Sequence, residues 1–259
     1  MYEKIYKKFR KVIEKYDLGG EGIRCEVLNR EKSGKGSELN KDGYFSGQYL
    51  DLPSEEYALM RGEEVIVRSS FKGSYGDAFT DKPRNYCGKV KEIPNLLSRD
   101  EDFKSIFFSS LNAVLSYVGL TDKTVHCRGD DPEKCGESLK NYILEEFGGS
   151  SIAHIGYQPG HVKSCSKVFD SCVTDLNPEN IGSKKFGRRI LDGERNEEII
   201  KKVDIACITG STIVNGSLPE ILSFCKTYDT DPIVYGVSAK GSLELIGMDC
   251  FCPFGRDMP

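Results

Sequence analysis

Residues 150–182 constrain the fold more than any other stretch of the chain. They run as a short apolar strand pattern, a tight turn (Gly156-Tyr157-Gln158-Pro159-Gly160), a helical pattern, a second apolar strand pattern and an acidic tip at Asp175. Strand, turn, helix and strand in that order open a nucleotide-binding βαβ unit, and such a unit requires a parallel sheet.

The rest of the second half keeps the alternation. Strands are expected at 151–156, 171–176, 203–209 and 232–237, with another at 249–252. Helices are expected at 160–168, 195–202, 217–227 and 240–246. Short apolar strands separated by helices read as a parallel sheet covered on both faces. The predicted class is therefore α/β. A C-terminal Rossmann-like parallel sheet with helices on both faces occupies 149–259, and a smaller α+β N-terminal domain occupies 1–148 and serves substrate binding or dimerisation. Gly148 and Gly149 mark the boundary.

In the first half, Ile5, Phe9, Val12 and Ile13 share one face of a helix over 2–16. Residues 23–28 and 64–70 read as short strands, and 31–42 as a lysine-rich loop. Residues 72–83 read as a loop rich in Gly, Ser and Asp, a composition that suits the lining of a ligand site or closure over a substrate. Residues 103–118 are apolar on nearly every side, so that helix is expected to be buried. Pro132 opens a further helix that runs to Phe147.

The net charge of −4 speaks against nucleic acid or an anionic membrane as the main partner. No apolar run in the sequence reaches the ~20 residues that span a bilayer. With no targeting segment visible, a cytoplasmic location is expected. The ten cysteines are irregularly spaced, so a disulfide framework is not expected.

Ligands of open parallel sheets sit beyond the carboxyl ends of the strands. Four loops then converge: 156–160, 175–180, 209–212 and 236–241. The candidate cofactor-binding residues are Gly156, Tyr157, Gln158, Pro159, Asp175, Leu176, Asn177, Thr209, Gly210, Ser211 and Thr212. Asp175 stands at the end of the second strand, where an acid can accept both ribose hydroxyls. Gln158 or Pro159 occupies the place of the glycine that would admit a pyrophosphate. The turn therefore disfavours NAD and FAD and favours S-adenosylmethionine. Helix capping by Ser211, Thr212 and Ser217 is the competing reading of those hydroxyls.

Thiols and imidazoles offer a second chemistry. His126, Cys127 and Cys135 form one group, and Cys250 and Cys252 form another. Such donors suit zinc or iron. However, no C-x-x-C pair exists and the groups lie far apart in sequence, so buried thiols and a packed histidine are the competing reading and no metal ligand is assigned. His154 falls inside a strand and is expected in the core. His161, just past the turn, is placed to reach the site.

Several segments carry a resemblance: Leu111–Val114, Thr124–Cys127, Ile155–Pro159, Asp175–Asn180, Ile208–Thr212 with Asn215-Gly216, and Tyr235–Val237 with Phe251–Phe254. Over roughly residues 60–255 they resemble a Rossmann-like family named for heavy-metal chelation. The resemblance implies metal or metal-cofactor chemistry. The chain is also similar to methanogen methyltransferases that act on a pyridinol precursor of the iron-guanylylpyridinol cofactor, which implies S-adenosylmethionine as methyl donor. The expected function is accordingly S-adenosylmethionine-dependent methyl transfer to a small aromatic, pyridinol-type cofactor precursor. Thr209 and Glu179 are the candidates to assist loss of a ring-hydroxyl proton. The alternative is a metal or metal-cofactor binding protein without methyl transfer. A homodimer is expected.

Overall fold

The computed structural model describes residues 1–28, 52, 54, 56–61 and 64–258. The lysine-rich stretch at 31–42 lies outside them. The first half contains α1 (Tyr2–Lys15), β1 (Gly22–Leu28), α2 (Ala58–Arg61), β2 (Val65–Phe71), β3 (Ser74–Thr80), β4 (Tyr86–Lys89), α3 (Ile93–Leu96), α4 (Lys104–Tyr117) and α5 (Asp131–Phe147). The second half contains β5 (Ile152–Ile155), α6 (Pro159–Cys165), β6 (Ser171–Asp175), β7 (Lys184–Lys185), β8 (Arg188–Asp192), α7 (Asn196–Ile200), β9 (Ile205–Thr209), α8 (Ser211–Asn215), α9 (Leu218–Tyr228), β10 (Asp231–Tyr235) and α10 (Val237–Ile246).

Two sheets organise these elements. The first is antiparallel, with order β3-β2-β1-β4. The second has order β10-β9-β5-β6-β8-β7 and is parallel except for the β7–β8 hairpin. The fold is thus mixed α/β, as the alternation of the second half predicts. β5 leads to β6 on one side and the chain later crosses to β9 on the other, so the topological switch point falls between β5 and β9.

Helix α4 ties the two sheets together. Its residues from Ser105 to Leu115 are all buried, as expected for a helix apolar all round. Asn112 at its centre uses both its amide protons and its oxygen. Nδ2 donates to the carbonyls of Asp77 (3.0 Å) and Val237 (2.9 Å), and Oδ1 accepts from the Gly241 amide. One hydrophobic cluster runs from Ile5 and Phe9 through Phe107 and Phe108 to Ile155, Ile208 and Leu243. Burial is therefore continuous across residue 148.

Two stretches fold differently from expectation. Residues 72–83 are not a loop: Lys72 and Gly73 turn the chain and Ser74–Thr80 forms β3. The polar composition has a packing cause. Gly76 lies against α4 so closely that a Cβ there would be 2.4 Å from the Ser109 carbonyl oxygen. Asp77 is fully buried and receives Nε and Nη2 of Arg68, each at 2.7 Å. Removing one partner of such a pair costs ~3–5 kcal/mol. In the second half, 236–241 is the beginning of α10 rather than a loop, with Gly236 at φ +95° feeding it. The strand expected at 249–252 is a single parallel bridge of Phe251 to Tyr235.

Among the described residues no helix is long and apolar enough to cross a membrane.

Candidate functional site

Two adjoining cavities sit at the carboxyl ends of β5, β6 and β9. The larger is a cleft of about 510 Å³ and the smaller a chamber of about 150 Å³. They share a wall that includes Phe79, Tyr157, Thr209 and Ser211.

The cleft holds most of the residues picked from sequence. Gly156, Tyr157, Asp175, Leu176, Asn177, Thr209, Ser211 and Thr212 all line it. Their local roles differ from those expected. Gly156 has φ +94°, and a Cβ there would stand 2.5 Å from Thr209 Cγ2. The missing side chain lets β5 and β9 end side by side, with Thr209 as its close neighbour. Asp175 is occupied by the protein itself. Its carboxylate accepts from the amides of Tyr157 (3.0 Å) and Asn177 (2.8 Å) and from Asn180 Nδ2 (3.1 Å). A carboxylate offers about four lone-pair directions, so roughly one remains for a ribose.

Gln158 and Pro159 line the chamber rather than the cleft. Gln158 is the N-cap of α6, its Oε1 accepting from the His161 amide at 2.5 Å, and Pro159 is the first helical residue. The capping side chain thus takes the place where an anion would meet the helix start. Gly210 also lines the chamber, donating its amide to the Tyr235 carbonyl at 2.6 Å. The Thr212 hydroxyl donates back to the Thr209 carbonyl at 2.6 Å. Thr209 Oγ1 lies 3.3 Å from Ser211 Oγ, and these two residues line both cavities. Glu179 is exposed and lines neither cavity.

The chamber is chemically different. His126, Cys127, Cys135, His161, Tyr235 and Cys252 all line it. Three packing events assemble them. Glycines meet where α5 crosses α6: a Cβ on Gly136 would lie 2.1 Å from the Gly160 carbonyl oxygen. That approach sets their neighbours Cys135 and His161 together, Sγ 3.3 Å from Nε2. The buried Asp77 carboxylate accepts the His126 amide at 2.9 Å and so fixes the 124–127 segment. The C-terminal segment is pinned by the Phe251–Tyr235 bridge and by reciprocal amide bonds between Val125 and Arg256 of 2.9 and 2.8 Å. Arg256 also grips Asp131 at 2.6 Å. Cys252 is thereby carried to the thiols of the first half.

Burial governs the protonation of these groups. It pushes Cys127 up to about 12 and raises Cys135 and Cys252 as well. It depresses His161 to about 3 and His126 to about 4. The resting chamber therefore holds neutral thiols and neutral imidazoles. Its polar atoms are also incompletely bonded. His161 Nδ1, His126 Nδ1 and the Tyr235 hydroxyl are buried with no hydrogen-bond partner of ordinary length. His154 has both ring nitrogens in that state too, but it sits in the core of β5 and lines neither cavity.

Residues of the first half roof the junction. Ala58 lines both cavities, and Leu52, Tyr57 and Leu59 line the chamber. Glu56 anchors this roof through Lys185 (2.6 Å) and the Tyr157 hydroxyl (3.3 Å).

The donor set fits a soft or borderline cation, since thiolate and neutral imidazole are its preferred ligands. As the side chains stand, no three His, Cys, Asp or Glu groups among the described residues are placed to hold one ion. An adenosine-type cofactor fits the cleft in size, but Asp175 is poorly placed to take both ribose hydroxyls.

Comparison with known proteins gives the following. Residues 140–246 match the family model DUF364, described as "Putative heavy-metal chelation". The match is narrower than the resemblance read over 60–255: it takes in 208–216 and leaves out 124–127 and 251–254. No curated protein matches. A protein of unknown function from the DUF364 family of Pyrococcus horikoshii is similar in structure at 15% identity. The alignment covers 95% of this chain and 82% of that one with a TM-score of 0.55, which shows a shared fold. A second DUF364 structure of unknown function, from Desulfitobacterium hafniense DCB-2, aligns at 15% identity over 67% of this chain and 68% of that one, with a TM-score of 0.46. None of these descriptions names methyl transfer.

Proposed function

We propose that the protein binds a small metal complex, with the organic part in the cleft and the metal facing the thiol chamber. The observation that carries this reading is the meeting of Cys127, Cys135, His161 and Cys252 in one small chamber that shares a wall with the cleft. Donors that share a space without closing on a point suit a metal that arrives already chelated, which needs only one or two protein ligands. The two cavities together fall within the ~300–1,000 Å³ of small-molecule sites. The match of 140–246 to a family described by heavy-metal chelation supports the same chemistry. Under this reading the buried thiols release their protons to solvent as they bind the metal, the neutral imidazole of His161 serves as a further donor, and Asp77 and Arg256 hold the ligand segments in place. Metal analysis of protein purified without oxygen tests it, followed by uptake of zinc or ferrous iron. Protein that is metal-free and takes up neither ion would sink the reading.

A second reading is methyl transfer from S-adenosylmethionine lying in the cleft. The cleft's position at the switch point favours it, as do Thr209 and Ser211, hydroxyl residues that line both cavities. Calorimetry with S-adenosylhomocysteine decides it; no heat of binding at millimolar ligand would remove this reading and leave the first intact.

A further inference from the structure

A short strap of the first half, residues 56–61, crosses the meeting point of cleft and chamber. Tyr57, Ala58 and Leu59 form part of the chamber wall, and Ala58 lines the cleft as well. Different forces hold its two sides. Towards the first sheet the contacts are apolar: Tyr57 and Leu59 are buried with Leu52 and Ile66, and Leu28, Met60 and Phe79 pack against them. Towards the second half the strap reaches out with polar side chains. The Glu56 carboxylate accepts from Lys185 Nζ at 2.6 Å and from the Tyr157 hydroxyl at 3.3 Å. Arg61 Nη2 donates to Asn180 Oδ1 at 3.2 Å, while its Nη1 braces the strap on the Glu56 carbonyl at 2.7 Å.

One carboxylate oxygen builds the catch for these side chains. Asp175 Oδ2 accepts both the Tyr157 amide (3.0 Å) and Asn180 Nδ2 (3.1 Å). Tyr157 and Asn180 are the residues that meet Glu56 and Arg61. The acid at the tip of β6 thus fixes two catch points of the strap. The Glu56–Lys185 pair is partly exposed on both sides. Such a pair is a weak bond that water screens, so local release of the strap costs less than opening the packed core on either side.

We infer that residues 56–61 are a gate to the thiol chamber, latched by Glu56 and Arg61 onto the catch that Asp175 builds. Release breaks the polar contacts to the second half and keeps the apolar cluster on the first sheet, so a ligand enters the chamber without unfolding of either half. The inference rests on the reading of the chamber as a ligand site and names what controls access to it.

The test is the rate at which N-ethylmaleimide labels each cysteine of the full-length protein, read by peptide mass spectrometry. Cys87 is exposed and reports on the reagent, and Cys165 and Cys207 are buried and report on global unfolding. Glu56→Lys should speed labelling of Cys127 and Cys135 at least ~5-fold, with Cys87 unchanged and Cys165 and Cys207 still protected. Adding Lys185→Glu restores the pair with its charges exchanged and should bring both rates back to within about 2-fold of the native protein. A direct effect of the new charge on the thiols would persist in that double variant, so the recovery belongs to the latch. Chamber thiols labelled at the native rate in Glu56→Lys would overturn the gate, as would rates that stay high in the double variant or rise together with Cys165 and Cys207. Labelling uses no metal, so failed zinc uptake would remove the metal reading and leave this result standing.

Discussion

The cleft and the chamber share a wall and treat their polar groups in opposite ways. In the cleft, side chains that look like ligand contacts are consumed by the protein. Asp175 holds two backbone amides and Asn180, and Thr212 caps back onto Thr209. In the chamber, His161 Nδ1 is buried with no hydrogen-bond partner, the partners of His126 Nδ1 and the Tyr235 hydroxyl lie beyond ordinary length, and three thiols keep their protons. A satisfied polar group explains how the backbone is built. A buried, unsatisfied one in a cavity wall costs stability and retains bonding capacity for a guest. The difference separates scaffold from site more cleanly than residue type does.

Asp175 offers the strongest way to break that comparison. As a scaffold residue, Asp175→Ala should destabilise the fold by at least ~3 kcal/mol in urea unfolding, since three donors lose a charged acceptor. Unchanged stability with lost ligand binding would return Asp175 to the site.

His154 is the contrasting case, unsatisfied but lining no cavity, so its open nitrogens should appear only as stability. Burial depresses it to about 4 from an ordinary 6.5. The unfolded chain takes the proton more readily, so the stability present above pH 6.5 is lost as pH falls towards 4. Its share is about 3 kcal/mol. His154→Leu should flatten unfolding free energy against pH by that amount and leave metal uptake alone.

Gly156→Ala should cost ~2 kcal/mol, from the strained φ and the contact with Thr209 Cγ2. Thr209→Ser removes that methyl, so the double variant should recover part of the loss in chemical denaturation. The smallest stability effect belongs to Cys252→Ser. It should change unfolding free energy by less than ~1 kcal/mol and yet lower zinc affinity by at least ~10-fold.

The sequence made the Rossmann-like half legible because its buried strands are short unbroken apolar runs, and α4 legible because it is apolar all round. Residues 184–192 escaped notice. The β7–β8 hairpin is rich in Lys and Arg, and only Ile190 of it is buried. The segment 74–80 was hidden by Gly76 and Asp77, residues that usually mark loops and here serve a close helix contact and a buried ion pair. The position of Asp175 was readable, but its hydrogen-bond partners were not, because two of the three are backbone amides. The chamber was the least legible. Cys127 and Cys252 look unrelated along the chain and come to one chamber through the bridges at Val125–Arg256 and Tyr235–Phe251. Tyr235 was legible as part of a resembling segment with Gly236 and Val237, but not as a wall of the chamber.

The central claim is that the chamber thiols can ligate a metal. X-ray absorption at the zinc edge of anaerobically loaded protein tests it most directly. The account predicts sulfur scatterers at ~2.3 Å, with the sulfur count falling in Cys127→Ser, Cys135→Ser or Cys252→Ser. A shell of nitrogen and oxygen alone, or a sulfur count unchanged by all three substitutions, would contradict it.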